Sequence, residues 1–193
     1  MQWNFYLSGI LYGKFYVKDN DIFVEKLDAA KGIWYPKETF TEESDDFFKK
    51  LCSRSLLDFF KNKKEYEEKI SEGADEFTAS SGETFSNRRN EVYFQRQKKF
   101  PKDLFYDEDG IYAVLMSGRD FAAVLVKNGE EDRTILSRWK KAFPEPPAAV
   151  NFLGTFFVDT RDGEKLATDV YLPKGEAYKE QKVPSVLIRT PYG

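Results

Sequence analysis

The chain has 193 residues, 41% hydrophobic and 17% aromatic, with 30 basic and 33 acidic residues and a net charge of −3. That length suits one sizeable core, or one domain and a piece of a second, and the aromatic content favours packed strands. No basic excess exists to neutralise nucleic-acid phosphates or an anionic bilayer, and no apolar run approaches the about 18–20 residues of a membrane span.

In chain order, the N-terminal MQWNFYLSGILYGKFYV alternates like a strand. It lacks the basic start and small-residue cleavage site of a secretory signal, so a cytoplasmic location is the default expectation. Residues 9–40 predict short strands, with turns at Asp19-Asn20 and Ala30-Lys31-Gly32. Residues 44–70 predict one long helix. Ser44 would be its N-cap, Asp45 and Asp46 suit the positive end of the dipole, and Phe47, Phe48, Leu51, Cys52, Leu56, Phe59 and Phe60 form one apolar face. Gly73 ends it, and the polar residues 71–90 predict a loop. Residues 91–138 predict a β-meander through Val92-Tyr93-Phe94, Leu104-Phe105-Tyr106, 111–116, 121–126 and 134–136. Its separators are Asp109-Gly110, Ser117-Gly118 and Asn128-Gly129. An aromatic strand, a turn and a second strand occur near both ends of this region, without a fixed repeat period. Pro144-Glu145-Pro146-Pro147 cannot join a ladder and predicts a linker at 143–150. The sequence thus predicts an α+β domain over 1–142, a β-meander plus one long helix with no role legible in it, and a second region over 151–193.

That second region predicts a hairpin with a two-residue turn at Asp162-Gly163. Leu166, Thr168, Val170 and Leu172 lie on one face and Ala167, Asp169 and Tyr171 on the other, and Pro173 ends the second strand. The polar residues 174–182 connect to Val183-Pro184-Ser185-Val186-Leu187-Ile188-Arg189, a continuous apolar run of the kind found in strands buried on both faces, and Thr190-Pro191-Tyr192-Gly193 turns out of it.

The ordered set Asp162-Gly163, Leu166-Ala167, Asp169, Tyr171, Pro173, Pro184, Arg189, Thr190, Pro191 and Tyr192 resembles the N-terminal pattern of the cocaine esterase and X-prolyl dipeptidyl-peptidase type of α/β-hydrolase. The match covers about residues 154–193; residues 1–150 resemble no part of that family. The resemblance implies the first three strands of a truncated α/β-hydrolase fold. It also implies a parent serine hydrolase that cleaves esters or amides, X-Pro peptides among them, through an acyl-enzyme. The substrate would be a small-molecule ester or amide, or a peptide, and no cofactor or metal is implied. In that family the tyrosine of the RTPY motif donates its hydroxyl to the oxyanion hole, a role that falls on Tyr192. Without the resemblance, Tyr192 is a packed aromatic after a buried strand.

The departure from the family is large. No G-x-S-x-G motif and no histidine occur, and Cys52 is the single cysteine. A Ser-His-Asp triad, a Cys-His dyad and an internal disulfide are impossible within these residues. The expectation is an N-terminal fragment, inactive alone. The alternative is a non-catalytic binding or oligomerisation module.

Five weaker signals compete with plain structural readings. Ser137 and Lys140 have S-x-x-K spacing, but the companion motifs of that enzyme class are missing. Asp107-Glu108-Asp109-Gly110 lacks the remaining ligands of a calcium loop and reads as a hairpin turn. Cys52 sits on an apolar helix face without a base and reads as a buried thiol. Asn87-Arg88-Arg89-Asn90 and the mixed charges of 61–69 read as solvated surface.

Overall fold

The computed structural model describes the chain except for residues 20, 30–31, 90, 97, 143–149, 174–184, 186 and 188–193. It divides into two compact units, Met1–Phe143 and Pro144–Gly193.

The first unit is built on one antiparallel sheet. Its strands are β1 (Gln2–Leu7), β2 (Ile10–Lys18), β3 (Asp21–Asp28), β4 (Ile33–Trp34), β5 (Glu38–Thr39), β6 (Glu76–Thr78), β7 (Thr84–Arg89), β8 (Val92–Gln95), β9 (Lys102–Asp107), β10 (Gly110–Ser117) and β11 (Ala122–Lys127). Ten of them lie in the order β4-β3-β2-β1-β11-β10-β9-β8-β7-β6, and β5 pairs with β3. The first and last strands therefore meet in the middle, where Trp3 pairs with Lys127 and Leu7 with Ala123.

This overturns the predicted fold class. The sheet is continuous and far larger than a meander beside one helix, and the described part of the second unit is antiparallel, not a set of α/β-hydrolase strands. Two local signals were misread. The polar stretch 71–90 contains β6 and β7, because Phe77 and Phe85 point inward and supply the apolar positions of two short paired strands. Residues 134–136 begin a helix, α3 (Ile135–Ala142), rather than forming a strand.

The predicted single helix is two, α1 (Glu42–Cys52) and α2 (Leu56–Ser71). Ser53 takes a left-handed φ of 53° and ends the first; Ser55 caps the second by accepting from the Asp58 N–H at 2.9 Å. The cap of α1 is Thr41, and Ser44 is its reciprocal partner three residues on. Asp45, fully buried on α1, fixes the corner: it accepts from the backbone N–H groups of Leu56 and Leu57 at 2.9 and 3.3 Å and from Ser55 Oγ at 2.6 Å. A carboxylate thus sits on the donor-rich start of α2.

The main core lies between these helices and one face of the sheet. Trp3 and Phe5 on β1, Phe15 on β2, Phe85 on β7 and Tyr93 on β8 are all buried and meet Phe48, Phe59 and Tyr66 of the helices. Gly13 permits a close approach of α1 to β2: a Cβ there would lie 2.7 Å from the Phe48 ring. A smaller cluster on the opposite face joins Tyr112, Ala113, Val124 and Val126 to Leu136 of α3, with Trp139 packed against it.

The hairpins β1–β2 and β9–β10 share one design. Phe5 pairs with Gly13 and Tyr6 with Leu11, leaving Tyr12 as a bulge; Phe105 pairs with Ala113 and Tyr106 with Ile111, leaving Tyr112. Their faces are reversed: Phe5 belongs to the helix-covered core and Phe105 to the other cluster, while Tyr6 and Tyr106 exchange in the same way. The strand order explains it. The run β3-β2-β1 is followed by β11-β10-β9 across an antiparallel junction, so the second meander is the first displaced by three strands and turned over.

In the second unit, β12 (Val150–Asp159) and β13 (Lys165–Pro173) form an antiparallel hairpin. Its loop has three residues, not two: the Thr160 N–H bonds to the Glu164 carbonyl at 2.8 Å across Arg161-Asp162-Gly163. Gly163, at φ 88°, takes the left-handed position such loops require.

Candidate functional site

Tyr192, the residue given a catalytic role by resemblance, lies outside the described residues, as do Pro184, Arg189, Thr190 and Pro191. The described part of the resembling segment is the β12–β13 hairpin, with Asp162 and Gly163 at its tip and Pro173 at its end. Register places Val158 opposite Leu166 and Phe156 opposite Thr168 on one face, and Phe157 opposite Ala167 and Phe152 opposite Tyr171 on the other. Both faces are apolar and both are open: Phe156 is 51% exposed and Phe157 68%.

The S-x-x-K, calcium-loop and Cys52 signals fall to their structural readings, while Asn90 and the side chains of Arg88 and Arg89 lie outside what is described. Ser137 Oγ donates to the Thr134 carbonyl at 3.0 Å, a bond that secures the first turn of α3. Cys52 is buried; desolvation pushes its thiol up to about 11, so it is a poor thiolate source at neutral pH. Asp107 accepts from the Asp109 N–H at 2.9 Å and pairs with Arg133 at 2.7 Å, leaving a hairpin turn and an ion pair. Among the described residues no group of acidic, cysteine or histidine side chains is placed to hold a metal ion.

The most organised polar cluster was not singled out by sequence reasoning. It lies beneath α2, where β7, β8 and β9 meet. Lys102 opens β9 in the inward phase shared with Leu104, and Gln95 ends β8 in the phase of Tyr93. Glu83, just before β7, receives them both. Lys102 Nζ lies 2.8 Å from Glu83 Oε2, and Gln95 Nε2 donates to Oε1 at 2.8 Å. Tyr66 of α2 donates to Oε2 at 2.5 Å, and Ser81 adds a longer bond of 3.3 Å. Gln95 Oε1 accepts the backbone N–H of Lys102 at 2.9 Å. The Lys102 ammonium lies over the rings of Tyr66 and Phe85, at 5.3 and 5.8 Å from their centres.

Electrostatics follow from this enclosure. The Lys102 side chain is 9% exposed; desolvation draws its pKa below the usual lysine range, against the pull of Glu83. At Glu83 desolvation acts upward, and the charge and hydrogen bond of Lys102 outweigh it, so the carboxyl titrates below its ordinary value. Burial, followed by the Glu83 bond, raises Tyr66. The signal in the sequence was a polar residue on the apolar phase of each of two neighbouring strands.

A shallow cleft of about 270 Å³ lies between α2 and the β9–β10 hairpin. Glu67 in its wall is already engaged, by Lys63 and by the Ile111 N–H at 2.9 Å. No family model, curated protein or solved structure matches the chain. No helix among the described residues is long and apolar enough to cross a membrane.

Proposed function

We propose that the chain is the N-terminal part of a serine hydrolase of the cocaine esterase and X-prolyl dipeptidyl-peptidase type, with residues 1–142 as a non-catalytic module. The observation that carries this reading is the ordered set from Asp162-Gly163 through Pro173 to Thr190-Pro191-Tyr192. The open hairpin supports it: a two-stranded ribbon is marginal by itself, and one apolar on both faces calls for cover on each. In this reading a serine elsewhere in the polypeptide is acylated by an ester or amide, and Tyr192 donates to the developing oxyanion. Two candidate nucleophiles in 1–142 support the module reading: Ser137 is tied into a helix start and Cys52 is buried with a raised pKa.

The test has two arms. The 193-residue chain should hydrolyse p-nitrophenyl acyl esters no faster than background, and a fluorophosphonate should label none of its serines, because a serine without a base is a poor nucleophile. The intact reading frame should supply a G-x-S-x-G serine followed by an aspartate and a histidine, and its product should be labelled at that serine. Saturable labelling within residues 1–193, or an intact frame with no such serine, would sink the proposal.

A further inference from the structure

We propose that Lys102 and Gln95 join through an intramolecular amide bond, formed by the protein itself with Glu83 as the proton carrier. The inference stands on residues 66–102 and is independent of the hydrolase reading.

The groups that the reaction needs converge on Glu83. The nucleophile is Lys102 Nζ. The acceptor carbon is Gln95 Cδ, whose amide nitrogen and the lysine amine occupy the two oxygens of one carboxylate, each at 2.8 Å. The amide oxygen already receives a fixed donor, the Lys102 backbone N–H at 2.9 Å, where negative charge would develop during attack. Tyr66 and Phe85 lie beside the Lys102 ammonium, and the lysine side chain is shielded from water. Burial favours the neutral amine, and holding amine and amide together replaces a slow encounter by an intramolecular one.

The step balances. Lys102 passes one proton to Glu83 and attacks Cδ as the free amine, placing charge on Oε1. Glu83 protonates Nε2 and takes a proton from the new N–C linkage. The Cδ–Nε2 bond breaks, and ammonia leaves with the remaining proton as ammonium. A secondary amide remains between the two side chains, and Glu83 is again a carboxylate. No oxidant, metal or co-reactant enters. The bond would tie the end of β8 to the start of β9 beside Tyr66 of α2.

Mass spectrometry of the whole chain tests this. The expected intact mass is lower than the sequence mass by one ammonia. After trypsin, which cuts at Arg96, Lys98 and Lys99 between the two residues, the peptide holding Gln95 should remain joined to the one holding Lys102, without cleavage after Lys102. Lys102→Arg and Glu83→Gln should both show the full mass, with folding of each variant checked by circular dichroism. Full mass in the wild-type chain overturns the proposal, as does a loss of water mapped to Glu83 and Lys102, or a loss of ammonia mapped elsewhere. Retention of the cross-link in Glu83→Gln removes the role given to Glu83. The wild-type measurement decides the bond whether or not either variant folds.

Discussion

The two units use the same strand chemistry and end in opposite situations. In the first, Phe5 and Phe15 alternate inward along β1 and β2 and are covered by Phe48 and Phe60 of the helices, with ring centres 5.0–5.4 Å apart. In the second, Phe156 and Phe157 alternate along β12 in the same manner, and each remains at least half exposed. Alternation fixes which face a side chain takes but supplies no second layer. The first unit carries its own layer in α1 and α2. The described residues of the second unit carry no such layer of their own. The buried aromatic side chains of the first unit are therefore stability determinants, while Phe156 and Phe157 of the hairpin remain largely solvated.

Truncating one phenylalanine in each unit breaks this comparison most directly. Phe48→Ala removes a fully buried ring that meets Phe5, Phe15, Phe40 and Phe47. It should cost about 3–5 kcal/mol in chemical denaturation of the chain. Phe157→Ala should change the same transition by no more than about 0.5 kcal/mol. Equal losses would mean that the hairpin faces are covered after all.

The next effect is on rate. In the intact hydrolase, Tyr192→Phe should lower kcat by about 10²–10³-fold with KM nearly unchanged, because a donor that meets the oxyanion mainly in the transition state adds little to substrate binding. The ring is kept, so the melting temperature should barely move. Wild-type turnover in the variant would leave this chain without a catalytic role.

A third effect tests the close approach at the centre of the first unit. Gly13→Ala places a methyl 2.7 Å from the Phe48 ring, and Phe48 is held by four other rings. A loss of about 1–3 kcal/mol is expected from overpacking. The double variant Gly13→Ala/Phe48→Leu should recover part of it; strict additivity would show that the ring is not the obstacle.

Legibility in the sequence follows the same division. Strand alternation and turn residues gave β8 to β11 and the β12–β13 hairpin, because those signals are local. They did not give the sheet order. That Trp3 lies beside Lys127 depends on two meanders meeting edge to edge, and no local pattern encodes the meeting. The helix break was missed because the apolar face runs on from Cys52 to Leu56 at helical spacing; only Ser53 in a left-handed conformation and the Asp45 corner separate the two helices. The Lys102 cluster was hidden for a related reason. Glu83, Gln95 and Lys102 sit in three different segments, and each alone reads as an ordinary solvated side chain.

The smallest effect compares two ion pairs. Arg133–Asp107 closes at 2.7 Å, and its guanidinium lies 3.8 Å from the centre of the Tyr112 ring. Lys165–Asp159 on the hairpin spans 3.4 Å with both partners mostly exposed. The Arg133 hydrogen bond, with the Asp109 N–H adding to it, holds the Asp107 carboxyl below the usual carboxylate range. A carboxyl whose pKa is depressed by folding contributes stability above its unfolded value of about 3.9, and loses it as pH falls through the folded pKa. Wild type should therefore exceed Asp107→Asn in stability at neutral pH, by at most about 1 kcal/mol because the pair is partly solvated. The difference should shrink to nothing as pH is lowered past the folded pKa, and high salt should reduce it at neutral pH. Asp159→Asn should give no resolvable change at neutral pH, since two solvated side chains gain little from meeting. If the Asp107 difference persisted unchanged into acid, its source would be the Asp109 turn and not the charge on Arg133.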